Sequence, residues 1–336
     1  MSNPVLIEVT RGSLVESTHV GAIAVVRTDG SLALRLGDVD RPVFPRSSIK
    51  SIQCLPLIES GAAERFGFTD AEIALACASH VGSERHVGVA VGMLHKIGLC
   101  ESALGCGAHA PLGSSAAKAL WRSGQEPDQL HNNCSGKHAG MLATAKHLGE
   151  PIAGYWEPDH PVQQRIHDIM TGLTGLPLGR EVMGIDGCSV PNWAMPLRTM
   201  AAMFARLVTG DRLPAHRSAA FSRIMAACWK EPELVAGIGR ADSVVMEKLP
   251  GRVFMKTGAE GVYCGGFPEL GLGFALKIDD GATRASAGAV MALVERIIPD
   301  CPDLMHRNVL KSWRGIEVGA IRTAPALERA FEQLKF

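Results

Sequence analysis

Three short stretches bring together side chains able to do nucleophilic chemistry. In "FPRSSIKSIQ", residues 44 to 53, Ser47 stands three positions ahead of Lys50, and on a helix such positions share a face. A hydroxyl and an amine one turn apart make a nucleophile and its base, provided the lysine is neutral near pH 7, which requires burial or a neighbouring cation. A helix-capping serine with a surface lysine nearby satisfies the same spacing. With 21 serines and 11 lysines in 336 residues, about 0.7 S-x-x-K matches are expected by chance, and Ser115 to Lys118 is a second one.

The second stretch is "KTG", Lys256 to Gly258, closing the apolar strand pattern "RVFM". S-x-x-K at a helix start, then K-T-G on a strand after a helical stretch, is the arrangement of the serine β-lactamase and penicillin-binding-protein architecture. A strand beside the nucleophile presents backbone groups to substrate, and its lysine supplies the second cation that disfavours the charged form of Lys50. The middle S-x-N or Y-x-N element of that architecture is missing between the two lysine motifs, which argues against penicillin chemistry. Ser79, in "CASHVGSERHVG", is the replacement candidate; a serine bonded locally to backbone near a helix end is the other reading.

The third feature pairs "HNNCSGKHAG", 131 to 140, with "GIDGCSVPNW", 184 to 193. Each is polar, glycine-punctuated and carries a cysteine at a turn or helix entrance, and Cys134 and Lys137 are again one turn apart. Two thiolates bind zinc only with further ligands, and no C-x-x-C or paired-histidine motif completes a set, so buried free cysteine fits the spacing as well. His80, His86, His95, His138 and His147 form no H-E-x-x-H, and no phosphate-binding glycine loop follows a strand, which removes kinases and dehydrogenases.

The elements that must position these groups are legible from periodicity. "GAIAVVRTDGSLALRLG" alternates about Asp29-Gly30 and predicts a hairpin. "TDAEIALACASH" opens with Thr69 and Glu72 in capping-box spacing, and "SSAAKALWRSG", "KHAGMLATAKHLG" and "MPLRTMAAMFARLVTG" predict amphipathic helices ending at glycine. Strands return in "RVFMKTGAEGVYCGGF" and "LGLGFALKI", followed by a helix in "GATRASAGAVMALVERII". The expected fold is α+β: an antiparallel sheet from both chain ends, about 1–45 and 250–336, flanked by helices, plus a helical lobe at about 50–245, the whole forming one catalytic unit.

Composition narrows the partners. Lys plus Arg and Asp plus Glu are 34 each and no block of like charge stands out, which gives no footprint for nucleic acid or anionic lipid. There is no secretory leader pattern and no apolar run of membrane-spanning length, so a cytoplasmic location is the expectation. Nine scattered cysteines suit reduced, mostly buried thiols.

In order along the chain, "PRSSIKSIQ", "CASH", "HNNCSGKHAGML", "GIDGCSVPNW" and "KTGAEGVY" together resemble the Rhizobium etli-type L-asparaginases. The resemblance implies a serine β-lactamase-like fold, a homodimer, and hydrolysis of L-asparagine to L-aspartate and ammonia. It implies Ser47 with Lys50 as one Ser-Lys pair and Ser79 with Lys256 as the other, with Arg46, His138 and Asp186 at the substrate. It also implies a zinc ion (Zn2+) on Cys134, Lys137 and Cys188, with a part in orienting substrate. Another serine hydrolase of the same fold (glutaminase, esterase or β-lactamase) and a non-catalytic amino-acid or zinc-binding relative are the alternatives.

Overall fold

A computed structural model describes residues 2–301, 303–304 and 308–334. The chain forms two compact units: residues 1–48, 195–209 and 248–336 make one, and residues 49–194 and 210–247 make the other.

The first unit is built on an eight-stranded sheet with strands β1 (Val5–Arg11), β2 (Leu14–Arg27), β3 (Leu32–Leu36), β4 (Phe254–Gly258), β5 (Val262–Phe267), β6 (Leu272–Ile278), β7 (Val309–Lys311) and β8 (Glu317–Thr323). Their order is β7-β8-β1-β2-β6-β5-β4, with β3 also on β2, and every pairing is antiparallel. The predicted hairpin joins β2 to β3, with Gly30 at φ +92° and the Asp29 carboxylate accepting from the Ser31 amide. Both ends of the chain feed this sheet, as the apolar patterns predict.

Leu197–Thr209, from the helical middle of the sequence, packs on β2, β5 and β6. Gly273 makes that possible: a Cβ there would lie 2.1 Å from the Ala201 carbonyl. Thr283–Ile297 lies against β1, β5, β6 and β8. Strand β6 reads as a nearly continuous apolar run because these helices cover it.

The second unit is helical. At its centre Ser135–Leu148 is buried from Ser135 to Ala145, all the way round, so it carries no amphipathic stripe. Asp70–Ala76, Glu84–Lys96 and Pro161–Thr174 pack against it. Gly136 admits the Asp70–Ala76 helix, since a Cβ would sit 2.4 Å from the Leu75 carbonyl. The expected capping box is present: the Thr69 hydroxyl accepts from the Glu72 amide while the Glu72 carboxylate accepts from the Thr69 amide.

Candidate active site

Lys50 begins the one-turn helix Lys50–Gln53 and is 1% exposed. Its Nζ donates to the carbonyls of Ala78 (2.5 Å) and Asn133 (3.2 Å) and lies 2.9 Å from the Ser79 hydroxyl. An amine held by two fixed carbonyls has its remaining valence directed at that hydroxyl, as an N–H when charged and as a lone pair when neutral. Ser79 follows the Asp70–Ala76 helix outside any helix or strand, its amide bonded to the Val235 carbonyl. Lys50 is thus not a surface lysine.

His80, beside Ser79, is fully buried. Its Nδ1 accepts from the Gly82 amide (3.1 Å), so the ring proton sits on Nε2 and is donated to the Ser135 hydroxyl (2.9 Å). His86 stacks on it with ring centroids 4.9 Å apart. Burial holds the His80 imidazole well below its ordinary range, with His86 and Lys50 adding to the fall.

The 131–140 stretch is set by its asparagines. Asn132 donates to the carbonyls of Cys106 and Gly107, both at 2.9 Å, and its side-chain oxygen accepts from the Cys134 amide at 2.8 Å. That Asx turn places Cys134 at the head of the Ser135–Leu148 helix. Across from it, the Asp186–Ser189 turn carries Cys188, with Ser189 at φ +75° and the Asp186 carboxylate accepting from Gly187 and Asn192. Lys137 Nζ lies 2.9 Å from Cys188 Sγ.

The two thiols and the amine polarise one another. A hydrogen bond with Cys188 holds Cys134 well below the usual thiol range, and the same contact raises Cys188. Burial works against a charged Lys137, yet the Cys188 and Cys134 sulfurs overcome it and raise the amine above its ordinary value. Negative charge on the sulfur pair and positive charge on the amine thus favour each other. Among the described residues no three His, Cys, Asp or Glu side chains converge as metal ligands. The donor set is two sulfurs and a lysine nitrogen. Two sulfurs are donors of the kind zinc takes, and the Lys137 nitrogen could join them only after losing its proton.

The first unit carries the other predicted residues. Ser47 lies in the turn Arg46–Ile49 and is 9% exposed. Arg46 is held at φ +53°, a left-handed conformation that costs a non-glycine residue about 1 kcal/mol or more. Ser48 closes the turn, donating to the Pro45 carbonyl at 2.7 Å with Cys264 Sγ 3.3 Å away. The end of β4 runs against it: a Cβ on Gly258 would lie 2.6 Å from the Pro45 carbonyl and 3.3 Å from the Ser48 amide. Strand K-T-G and the serine turn, some two hundred positions apart in sequence, are therefore in van der Waals contact. Lys256 is 1% exposed on that strand, its Nζ bonded to the Thr257 carbonyl at 3.1 Å.

Each unit thus gathers part of the expected set. Lys50 meets Ser79, and Cys134, Lys137 and Cys188 meet one another with His138 adjoining, while Arg46 and Ser47 share a unit with Lys256. The sequence did not reveal the Ala78 and Asn133 carbonyls on Lys50, because main-chain acceptors leave no residue-type signal. It did hold a signal for Asn132, since Asn-Asn before a helix favours an Asx turn. Tyr155, whose hydroxyl lies 2.6 Å from His138 Nδ1, carried none.

A family model described as L-asparaginase II matches residues 7–323. No single curated protein matches the chain significantly. Among solved structures, one described as Mglu is 16% identical over 86% of this chain and 70% of its own, with a TM-score of 0.46. A β-lactamase from Mycobacterium bovis is 13% identical over 81% and 94%, with a TM-score of 0.41. A Bacillus subtilis glutaminase in covalent complex with 5-oxo-L-norleucine is 14% identical over 82% and 85%, with a TM-score of 0.36.

Proposed function

The chain belongs to the L-asparaginase II family, which makes it an amidohydrolase acting on L-asparagine, and we propose that it does so through a serine acyl-enzyme. Ser47 Oγ attacks the side-chain amide carbon and its proton passes to the Lys50 amine. The C–N bond then breaks, the nitrogen takes a proton from the lysine and leaves as ammonia, and water attacks the acyl ester to release L-aspartate. Ser79 stands on Lys50 as the relay for those protons. The observation carrying this is the buried Lys50 amine, fixed by two carbonyls and 2.9 Å from a hydroxyl.

Lys256 is assigned to Ser79 as the second pair by the resemblance. Support for its participation is its burial on the strand whose end touches the Ser47 turn. Backbone N–H groups of that turn and strand are the donors available to the oxyanion. Arg46, His138 and Asp186 are proposed to hold the substrate. Cys134, Lys137 and Cys188 are proposed to hold zinc, which supplies a positive anchor for an amino-acid oxygen; a serine nucleophile leaves no need for a metal hydroxide. A cytoplasmic homodimer is proposed too. Sedimentation of the purified protein reads the assembly.

Ammonia release from asparagine and glutamine, and opening of a chromogenic β-lactam, measured with wild type and Ser47→Ala, test the proposal. Asparagine turnover abolished by Ser47→Ala supports it. Undiminished turnover in that variant ends it, and wild-type activity on the β-lactam or glutamine alone favours another serine hydrolase.

A further inference from the structure

We propose that Tyr155 is a positioning residue that locks His138 in the Nε2–H tautomer, making it a permanent hydrogen-bond donor to a carboxyl or carboxamide oxygen of the bound amino acid. The inference rests on the site reading above and adds a residue that reading leaves out.

The tautomer follows from counting protons. Tyr155 is fully buried. Its oxygen accepts from the Gly105 amide at 2.8 Å and lies 2.6 Å from His138 Nδ1. A phenol has one proton to give, and His138 Nδ1 is the acceptor in reach. The reverse arrangement, Nδ1–H donating to the phenol oxygen, would strand the buried phenol proton without an acceptor among the described residues, a loss of about 1–3 kcal/mol. Nδ1 is therefore bare and Nε2 carries the hydrogen.

Among the described residues that hydrogen meets no oxygen or nitrogen acceptor, and only the weak sulfur acceptor of Cys188 stands beside it. His138 is fully buried, and among the described residues its Nε2 makes no well-aligned hydrogen bond. It lies on the helix that presents Lys137, next to the Cys188 sulfur. A buried N–H left unpaired is costly unless something arriving in the site accepts from it, and a site built so rejects analogues lacking the acceptor.

The support of Tyr155 is rigid. Gln163 Nε2 donates to the Tyr155 carbonyl at 2.9 Å, and Trp156 packs edge-on to the phenol ring with centroids 5.2 Å apart. Trp156 also lies over Gly105, where a Cβ would come 2.2 Å from the indole, so only glycine lets that amide reach the phenol. The His138 and Tyr155 rings meet at 74°.

The test begins with nitrogen NMR of the ligand-free protein with labelled histidines, His138 being assigned by its loss in His138→Gln. A pyrrole-like, protonated Nε2 and a pyridine-like Nδ1 are expected; a protonated Nδ1 in the wild type overturns the proposal without any variant. Tyr155→Phe, which keeps the ring, should show mixed tautomers and raise KM for asparagine about tenfold with kcat within about threefold. In His138→Gln the amide offers a donor that needs no tautomer, so adding Tyr155→Phe should cost nothing further. Unchanged tautomer and KM in Tyr155→Phe, or an equal loss in both backgrounds, also overturns the proposal. The spectra need no substrate, so a chain that fails to hydrolyse asparagine defeats the acyl-enzyme reading while leaving this measurement to stand on its own.

Discussion

The amine of Lys50 lies 2.9 Å from the hydroxyl of Ser79, 29 positions further along the chain. The Ala78 carbonyl, one residue before that serine, holds the same amine at 2.5 Å. Lysine, hydroxyl and backbone are thus one hydrogen-bonded group, built on the chain just beyond the Asp70–Ala76 helix.

Lys50→Met is expected to lower kcat by about 10³-fold, the range of a lost general base. It also leaves the Ala78 and Asn133 carbonyls without their donor, so thermal unfolding should shift down by a measurable amount. Ser79→Ala should lower kcat by about 10²-fold with little change in KM, because the hydroxyl contacts the lysine. Ammonia release under saturating asparagine reads both, and full activity in Ser79→Ala would remove Ser79 from the proton path.

Gly258→Ala tests the contact between the K-T-G strand and the serine turn. The new methyl would lie 2.6 Å from the Pro45 carbonyl, which is backbone and cannot swing aside. A loss of about 1–3 kcal/mol in urea unfolding is expected, with kcat/KM falling further than stability alone explains because Ser47 is displaced. Native stability and rate in this variant would mean that the strand and the turn are not coupled.

Helix and strand placement was largely legible because periodicity reports which face is buried. The Asp29-Gly30 hairpin, the Thr69 capping box and strands β4 to β6 all follow local rules. The placement of Leu197–Thr209 on the sheet does not, since an amphipathic pattern shows that a face is buried without saying against what. For the site, residue type and spacing singled out Lys50, Lys137 and both cysteines as candidates, yet Lys50 is held by the carbonyls of Ala78 and Asn133, and His138 by the hydroxyl of Tyr155. Backbone acceptors and tertiary neighbours write nothing into local sequence.

Stability should depend on pH through the stacked histidines. Burial depresses both imidazoles below 6.5, their ordinary value. Above that pH they are neutral folded and unfolded and contribute no slope. As pH falls through 6.5 the unfolded chain binds protons that the folded chain refuses, so stability is lost, by at most about 1.4 kcal/mol per pH unit for each histidine. Urea unfolding between about pH 5 and 7.5 reads this. His86→Gln should flatten the acid side of the profile, and an unaltered slope would show that His86 does not titrate on unfolding.

Metal content offers the last test, and it separates orientation from activation. The purified protein is expected to hold about one zinc per chain, lost in Cys188→Ser, which removes a sulfur and the partner of Lys137 together. Asn132→Ala leaves every proposed ligand in place but removes the acceptor that fixes the Cys134 amide at 2.8 Å, so affinity should fall about 10–100-fold. If zinc anchors the amino acid, chelation raises KM far more than it lowers kcat, because Ser47 still performs the attack. A stripped protein that binds asparagine normally but no longer turns it over would reverse that assignment and make the metal part of the chemistry.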